Sequence, residues 1–221
     1  MSFVVAIDGP AGTGKGTITS LISKQMGLVN IDTGATYRCV ALYAIENNIK
    51  LEEKDKIIDS LENINIDMKN ENGEQKIFLN GEDVTTKIRS KEVTLIVSQV
   101  SSIKEVRYKM VDVQRKLAHG KDVIMEGRDI TTVVFPHADV KIYMDADEDI
   151  RAQRRYEENK EKGIQMTYEE VLKNIQIRDK NDKEKEVGAL KIAEDAIYLD
   201  TSKLTIEEVK NKVIEIIQNN K

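Results

Sequence analysis

The chain predicts an α/β fold, a doubly wound five-stranded parallel sheet with helices on both faces. Three observations carry that expectation. Five short apolar runs alternate with segments of helical periodicity. The first run leads into a glycine-rich loop that opens a helix, Gly9-Pro10-Ala11-Gly12-Thr13-Gly14-Lys15-Gly16-Thr17. Polar residues collect where the runs end, at Asp32-Thr33-Gly34, Gly127-Arg128-Asp129 and Asp145. Those are the carboxyl ends of parallel strands, where ligands gather in such sheets.

In chain order, Phe3 to Ile7 is the first strand and Ile18 to Met26 the first periodic segment, with Gly27 as its stop. Leu28 to Ile31 is the second strand, and Asp32 or Thr33 caps a helix from Ala35 to Ile45. A charged helix follows over about Glu52 to Leu61. Ile64 to Met68, and less cleanly Lys76 to Leu79, alternate apolar and polar residues around the polar Asn70-Glu71-Asn72-Gly73-Glu74, and Asn80-Gly81 signals a turn. Antiparallel strands inserted among helices are expected there, and the pattern leaves open whether they serve a site or only the surface. Helices are expected at Val93 to Val100 and Val106 to Leu117, the second ended by His119-Gly120. Strands follow at Asp122 to Met125 and Val140 to Met144, then a charged helix over about Glu148 to Lys162. A long helix starts near Thr167, with Glu170 placed for a capping box, and runs to about Lys185. Ile197 to Leu199 is the last strand and Ile206 to Ile217 a closing amphipathic helix.

With 221 residues, 40% apolar and 33% charged, the chain can bury the core of one globular domain. Its net charge of −5 excludes broad electrostatic binding to a nucleic acid polymer or an anionic membrane surface. No run approaches the roughly 20 apolar residues of a membrane span. The N-terminus enters the first strand directly, so no signal peptide is expected. The single cysteine, Cys39, excludes an internal disulfide and sits in an apolar helical stretch as a core residue. A reducing, cytoplasmic setting follows. Nothing in the pattern calls for a partner chain, so a monomer is expected.

The loop has the spacing of a phosphate cradle: glycines at 9 and 14, then Lys15. Backbone N–H groups and the positive end of the following helix receive an anion, and the lysine supplies a movable ammonium for the outer phosphates of a nucleoside triphosphate. The pattern usually has Ser or Thr directly after the lysine; here Gly16 stands there and Thr17 follows. Phosphoryl transfer is mostly positioning and electrostatics, so arginines and a magnesium ion are wanted around such a loop. Arg151, Arg154 and Arg155 share a broad helix face, and their spacing alone favours a solvated face balanced by Glu157 and Glu158. Arg178 and Asp182, with Lys185 beyond, fit either a surface ion pair or a cation and carboxylate for phosphate and sugar. Arg128 beside Asp129 at a strand end favours function. His119 and His137 lack metal-ligand spacing.

Taken together the motifs resemble the bacterial cytidylate kinases, a family of P-loop nucleoside monophosphate kinases, over essentially the whole chain. The resemblance rests on Ile7-Asp8-Gly9-Pro10 with Gly14-Lys15-Gly16-Thr17, Asp32-Thr33-Gly34-Ala35 with Tyr37-Arg38, and Gly81-Glu82-Asp83-Val84. It continues through Ser98-Gln99-Val100, Gly127-Arg128-Asp129, Thr132 to Pro136, Arg151 with Arg154-Arg155, and Arg178-Asp179 with Asp182. It implies the P-loop nucleoside triphosphate hydrolase fold, with a monophosphate-binding insert at about 62–86 and a helical lid at about 150–168. The implied reaction moves the γ-phosphoryl of ATP to CMP or dCMP, with Mg²⁺, in pyrimidine nucleotide metabolism. By similarity, Gly9 to Thr17 bind ATP, Thr17 meets the metal, and Lys15, Arg128, Arg154 and Arg155 act on the transferring group. Ser98, Arg107 and Asp129 read the cytosine ring. Arg38 and Arg128 hold the acceptor phosphate, with Thr33 and Tyr37 nearby, and Arg178, Asp182 and Lys185 serve phosphate and ribose. Four positions depart from the family pattern: Lys185 for a common arginine, Thr131 for a frequent glycine, Glu126 for a common aspartate and Ala189 for a proline. They bear on monophosphate affinity and not on the reaction class.

Overall fold

A computed structural model describes residues 2–71, 74–161 and 163–220 of the chain. Its main sheet is five-stranded and wholly parallel, as the alternation of strands and helices predicts. The strands are β1 (Val4–Asp8), β2 (Val29–Asp32), β6 (Val123–Gly127), β7 (Val140–Asp145) and β8 (Ile197–Asp200), in the spatial order β2-β6-β1-β7-β8. The numbering leaves β3 (Ile66–Glu71), β4 (Glu74–Leu79) and β5 (Glu82–Asp83) for a separate antiparallel sheet, the expected insert. Asn72 and Gly73, in the polar stretch between the two expected strands, lie outside the described residues.

Side chains of a strand alternate between faces, and here both faces are buried. Val4 and Ala6 of β1 join one core, with α2 (Thr33–Glu46), α4 (Lys91–Val100) and α5 (Lys104–Ala118) packed over it and the insert continuing it. Val5 and Ile7 join the other, covered by α1 (Lys15–Met26) and α8 (Ile206–Asn219). That double burial is why the strands read as unbroken apolar runs. Cys39 lies fully inside the first core, and burial pushes its thiol pKa up to about 12, as befits a packing residue.

Helix ends differ from the expected ones where loop geometry overrides periodicity. α1 begins at Lys15 and not at Ile18, because left-handed Gly14 is its N-cap and the phosphate loop runs straight into the first turn. α3 (Lys54–Ser60) is shorter than expected. Asp32, not Thr33, caps α2, its carboxylate accepting the Ala35 N–H at 3.2 Å. α6 (Glu148–Glu161) and α7 (Tyr168–Glu184) form a pair with a small core of its own, Ala152, Val171 and Ile175. Lys162, the expected end of α6, lies outside the described residues. The capping box is present: the Thr167 hydroxyl accepts the Glu170 N–H at 3.2 Å, and the Glu170 carboxylate accepts the Thr167 N–H at 2.8 Å. Among the described residues no helix is long and apolar enough to cross a membrane.

Candidate active site

The carboxyl ends of β1, β2, β6 and β7 bring the predicted polar residues to one edge. Lys15, on the first turn of α1, is buried, and its ammonium donates to the carbonyls of Gly9 (2.8 Å) and Pro10 (2.7 Å) and to the Thr13 hydroxyl (3.2 Å). Burial lowers its pKa, and the cations Arg128 and Arg178 add to that, while Glu126 and Asp8 oppose it. Thus Lys15, Arg128, Arg178 and Glu126 feel one another's charge. Thr17 is exposed two residues further along the same turn of α1. Thr33, at the end of β2, donates its hydroxyl to the Glu126 carbonyl at 2.6 Å, which ties the β2 and β6 ends together.

Asp182 is the hub of a second charged cluster. Its carboxylate takes the Arg128 Nε at 2.8 Å and the Lys185 Nζ at 2.8 Å, with the Arg178 Nε at 4.0 Å. Burial alone would raise its pKa, yet Arg128, Lys185 and Arg178 outweigh that and hold it well below the usual carboxylate range. Of the two readings open for Arg178 and Asp182, an exposed ion pair does not fit a carboxylate that is 3% exposed. Lys185 also donates to the Ser101 hydroxyl at 3.1 Å. Arg38 reaches outward from α2 instead, donating to the Ile88 carbonyl (3.1 Å) and the Thr94 hydroxyl (3.0 Å).

Close enough to Asp182 and Lys185 to feel their charges, Arg107 and Asp129 form a buried ion pair. The Arg107 guanidinium lies 5.3 Å from the Tyr37 ring centre and donates to the Ser101 carbonyl at 3.2 Å. Buried Arg107 Nε and Ser98 Oγ have no hydrogen-bond partner among the described residues. Unmet polar atoms in a dry site are costly unless something else satisfies them. The segment after α7 lies on this pair through Gly188, whose φ is +66°. A Cβ there would overlap both the guanidinium and the carboxylate, so only glycine fits.

The arginines of α6 part company, which corrects the solvated-face reading. Arg151 is buried, donating to Asp179 Oδ2 (2.6 Å), to the Ala11 carbonyl of the phosphate loop (3.0 Å) and to the Ala146 carbonyl (2.9 Å). Arg154 donates to the Thr201 carbonyl (2.6 Å) and hydroxyl (3.1 Å). Arg155 pairs with Glu158 at 2.7 Å and is near enough to Arg38 and Arg178 to lower their pKa values.

A model of the cytidylate kinases matches residues 5–219. The chain belongs to the cytidylate kinase family. A cytidylate kinase from Caldicellulosiruptor saccharolyticus is 50% identical over 212 residues, spanning 96% of this chain and 94% of that one. One from Fusobacterium nucleatum is 49% identical over 217 residues, spanning 98% of each. Among solved structures, a gluconokinase from Sinorhizobium meliloti superposes with a TM-score of 0.50 at 11% identity, covering 99% of this chain and 92% of that one. An uncharacterized protein from Eubacterium ventriosum gives 0.56 at 10%, covering 98% and 99%. Those two likenesses speak for the fold alone.

Within this member of the cytidylate kinases, sequence reasoning named Glu126, Asp8, Arg151 and Asp179 without seeing that they hold other groups in place, and it missed Arg89, whose guanidinium lies 3.4 Å from Asp32. Glu126 had a signal, since it ends β6 just before Gly127-Arg128-Asp129. It also accounts for Gly16. A Cβ at 16 would lie 2.6 Å from Glu126 Oε1, so a Ser or Thr directly after the lysine would have to displace the carboxylate. Gly16→Ser is expected to push this flexible side chain aside at less than about 1 kcal/mol of stability. It should still lower kcat/KM for ATP several-fold, and the shorter Glu126→Asp should recover part of the loss in the same background. Thermal melts and ATP titrations of the two variants check this.

Proposed function

We propose that the chain phosphorylates CMP or dCMP from ATP, giving CDP or dCDP and ADP, as a monomer in cytoplasmic pyrimidine nucleotide metabolism. An oxygen of the acceptor phosphate attacks the γ-phosphorus, the bond from that phosphorus to the β-γ bridging oxygen breaks, and ADP leaves. The observation that carries this reading is the joint placement of a buried loop lysine, Lys15, with Arg128 and Arg178 on one side and the buried Arg107–Asp129 pair on the other. A triphosphate site alone would not need the second pair.

Gly9 to Thr17 would cradle the ATP phosphates, and Lys15 with Arg128 would face the charge that spreads over the moving group. Arg155, and Arg154 once released from Thr201, would close in from the lid at about 150–168. Arg38, Thr33 and Tyr37 would border the acceptor phosphate, and Arg178, Asp182 and Lys185 the phosphate and ribose. Cytosine carries an exocyclic amine, which Asp129 accepts, beside N3 and O2, which Arg107 and Ser98 can serve. Uracil puts an acceptor where the amine stands, so it meets Asp129 unfavourably. The insert at about 62–86 and the lid are moving parts of one domain, 1–221, and their closure would exclude water as a competing acceptor.

Mg²⁺ fits the donor set. Among the described residues no cluster of three His, Cys, Asp or Glu side chains can cage a metal. That suits an ion that keeps its waters and relies on substrate phosphates plus one or two protein oxygens. The exposed Thr17 hydroxyl and the Glu126 carboxylate beside Gly16 would supply these. The ion would neutralise phosphate charge when bound.

An ADP-release assay with CMP, dCMP, UMP, AMP and dTMP tests the reading. The expected order has the two cytosine nucleotides well ahead of the other three. Equal or faster turnover of AMP or UMP would overturn it.

A further inference from the structure

Asp8 closes β1, and its neighbour Gly9 starts the phosphate loop. It is fully buried, and its carboxylate accepts three hydrogen bonds. Ile130 N–H donates at 2.9 Å, Thr131 N–H at 2.8 Å and the Thr131 hydroxyl at 2.6 Å. All three donors lie in the π-helical turn Ile130–Val134 that follows Arg128-Asp129. The Asp129 carbonyl is held from the other side, by Val133 N–H at 2.8 Å and Val134 N–H at 3.1 Å. The ladder between β1 and β6 ends at the pair Asp8–Gly127, where the two chains part, one toward the donor loop and one toward Arg128 and Asp129. Side-chain bonds take over where backbone pairing stops.

A buried carboxylate is expensive to desolvate, and an apolar residue of the same size would pack the strand end at less cost. Charge-assisted bonds to backbone N–H groups offset that expense by fixing geometry. We propose that Asp8, with Thr131, is a positioning pair that sets the side chains of Arg128 and Asp129 against the donor loop, and so helps to define selectivity for the cytosine base. A residue without a hydroxyl at 131 would keep the N–H bond and lose the third one. The proposal rests on the reading that Asp129 contacts the base.

The test uses Thr131→Val, close to threonine in shape, with Thr131→Ser to restore the hydroxyl. Asp8→Asn is a stronger variant, and because it can fail to fold, the threonine pair decides. Thr131→Val is expected to raise KM for CMP by about tenfold. The CMP-to-UMP ratio of kcat/KM should narrow by a similar factor, with KM for ATP within twofold of the parent. Thr131→Ser should bring both back. A purely structural role predicts something else: a lower melting temperature with the CMP-to-UMP ratio and both KM values unmoved, or moved equally for CMP and ATP. That result would overturn the proposal, as would failure of the serine to restore the ratio. If the parent enzyme itself does not prefer CMP, it is the function reading that fails.

Discussion

Lys15→Ala is expected to lower kcat by about a thousandfold, measured as ADP release at saturating ATP and CMP. The lysine is the cation nearest the loop carbonyls of Gly9 and Pro10, and it is buried, so its charge acts on the moving phosphoryl with little screening by water. Removing it frees the Gly9 and Pro10 carbonyls but keeps the loop's backbone N–H donors, so ATP binding is expected to weaken less than turnover. The dominant loss in kcat is the mark of an interaction made mainly in the transition state. Activity within tenfold of the parent would mean that the loop binds nucleotide without taking part in transfer.

Asp129→Ala is expected to lower kcat/KM for CMP by about a hundredfold or more, while KM for ATP stays within a few-fold. Two effects add here. The acceptor for the exocyclic amine is gone, and Arg107 is left as a buried cation without its partner. Breaking a buried pair from one side costs about 3–5 kcal/mol, so a lower melting temperature is expected as well. Asp129→Asn separates the two effects, since it keeps the volume and supplies an N–H donor that complements the uracil carbonyl. That variant should narrow the CMP-to-UMP ratio. Equal losses for CMP, UMP and ATP would count against a base-reading role.

What could be read from the chain was what local rules dictate. The loop from Gly9 to Thr17 announces itself because two glycines and a lysine at fixed spacing leave few backbone paths. That the sheet is parallel follows from alternating strands and helices, whereas its order β2-β6-β1-β7-β8 depends on which strands dock and was not legible. The capping box at Thr167 and Glu170 is local too. What stayed hidden depends on which surfaces dock. Arg151, Arg154 and Arg155 share one charged helix with no apolar rhythm, and only the docking of α7 and the loop buries Arg151 against Asp179 and Ala11. Arg107 and Asp129 are brought together from α5 and the β6 end; the family resemblance put both at the cytosine ring, but their direct pairing was not legible from either neighbourhood. Gly16 looked irregular in the sequence because its cause, Glu126, sits on a strand far along the chain. Gly188 is similar: its need for glycine is set by the Arg107–Asp129 pair beneath it.

Arg151 also ties α6 to its surroundings. One guanidinium joins the base of α6, α7 through Asp179 and the Gly9–Thr17 loop through the Ala11 carbonyl.

The measurement that bears most directly on the central claim is a crystal structure of the chain with CMP bound. The account predicts an Asp129 carboxylate oxygen within about 2.7–3.2 Å of the cytosine exocyclic nitrogen. It also predicts that Ser98 Oγ and Arg107 Nε are no longer unpartnered, with the phosphate among Arg38, Arg128 and Arg178. A cytosine whose amine faces solvent or another residue, with Asp129 still bonded only to Arg107, would contradict it.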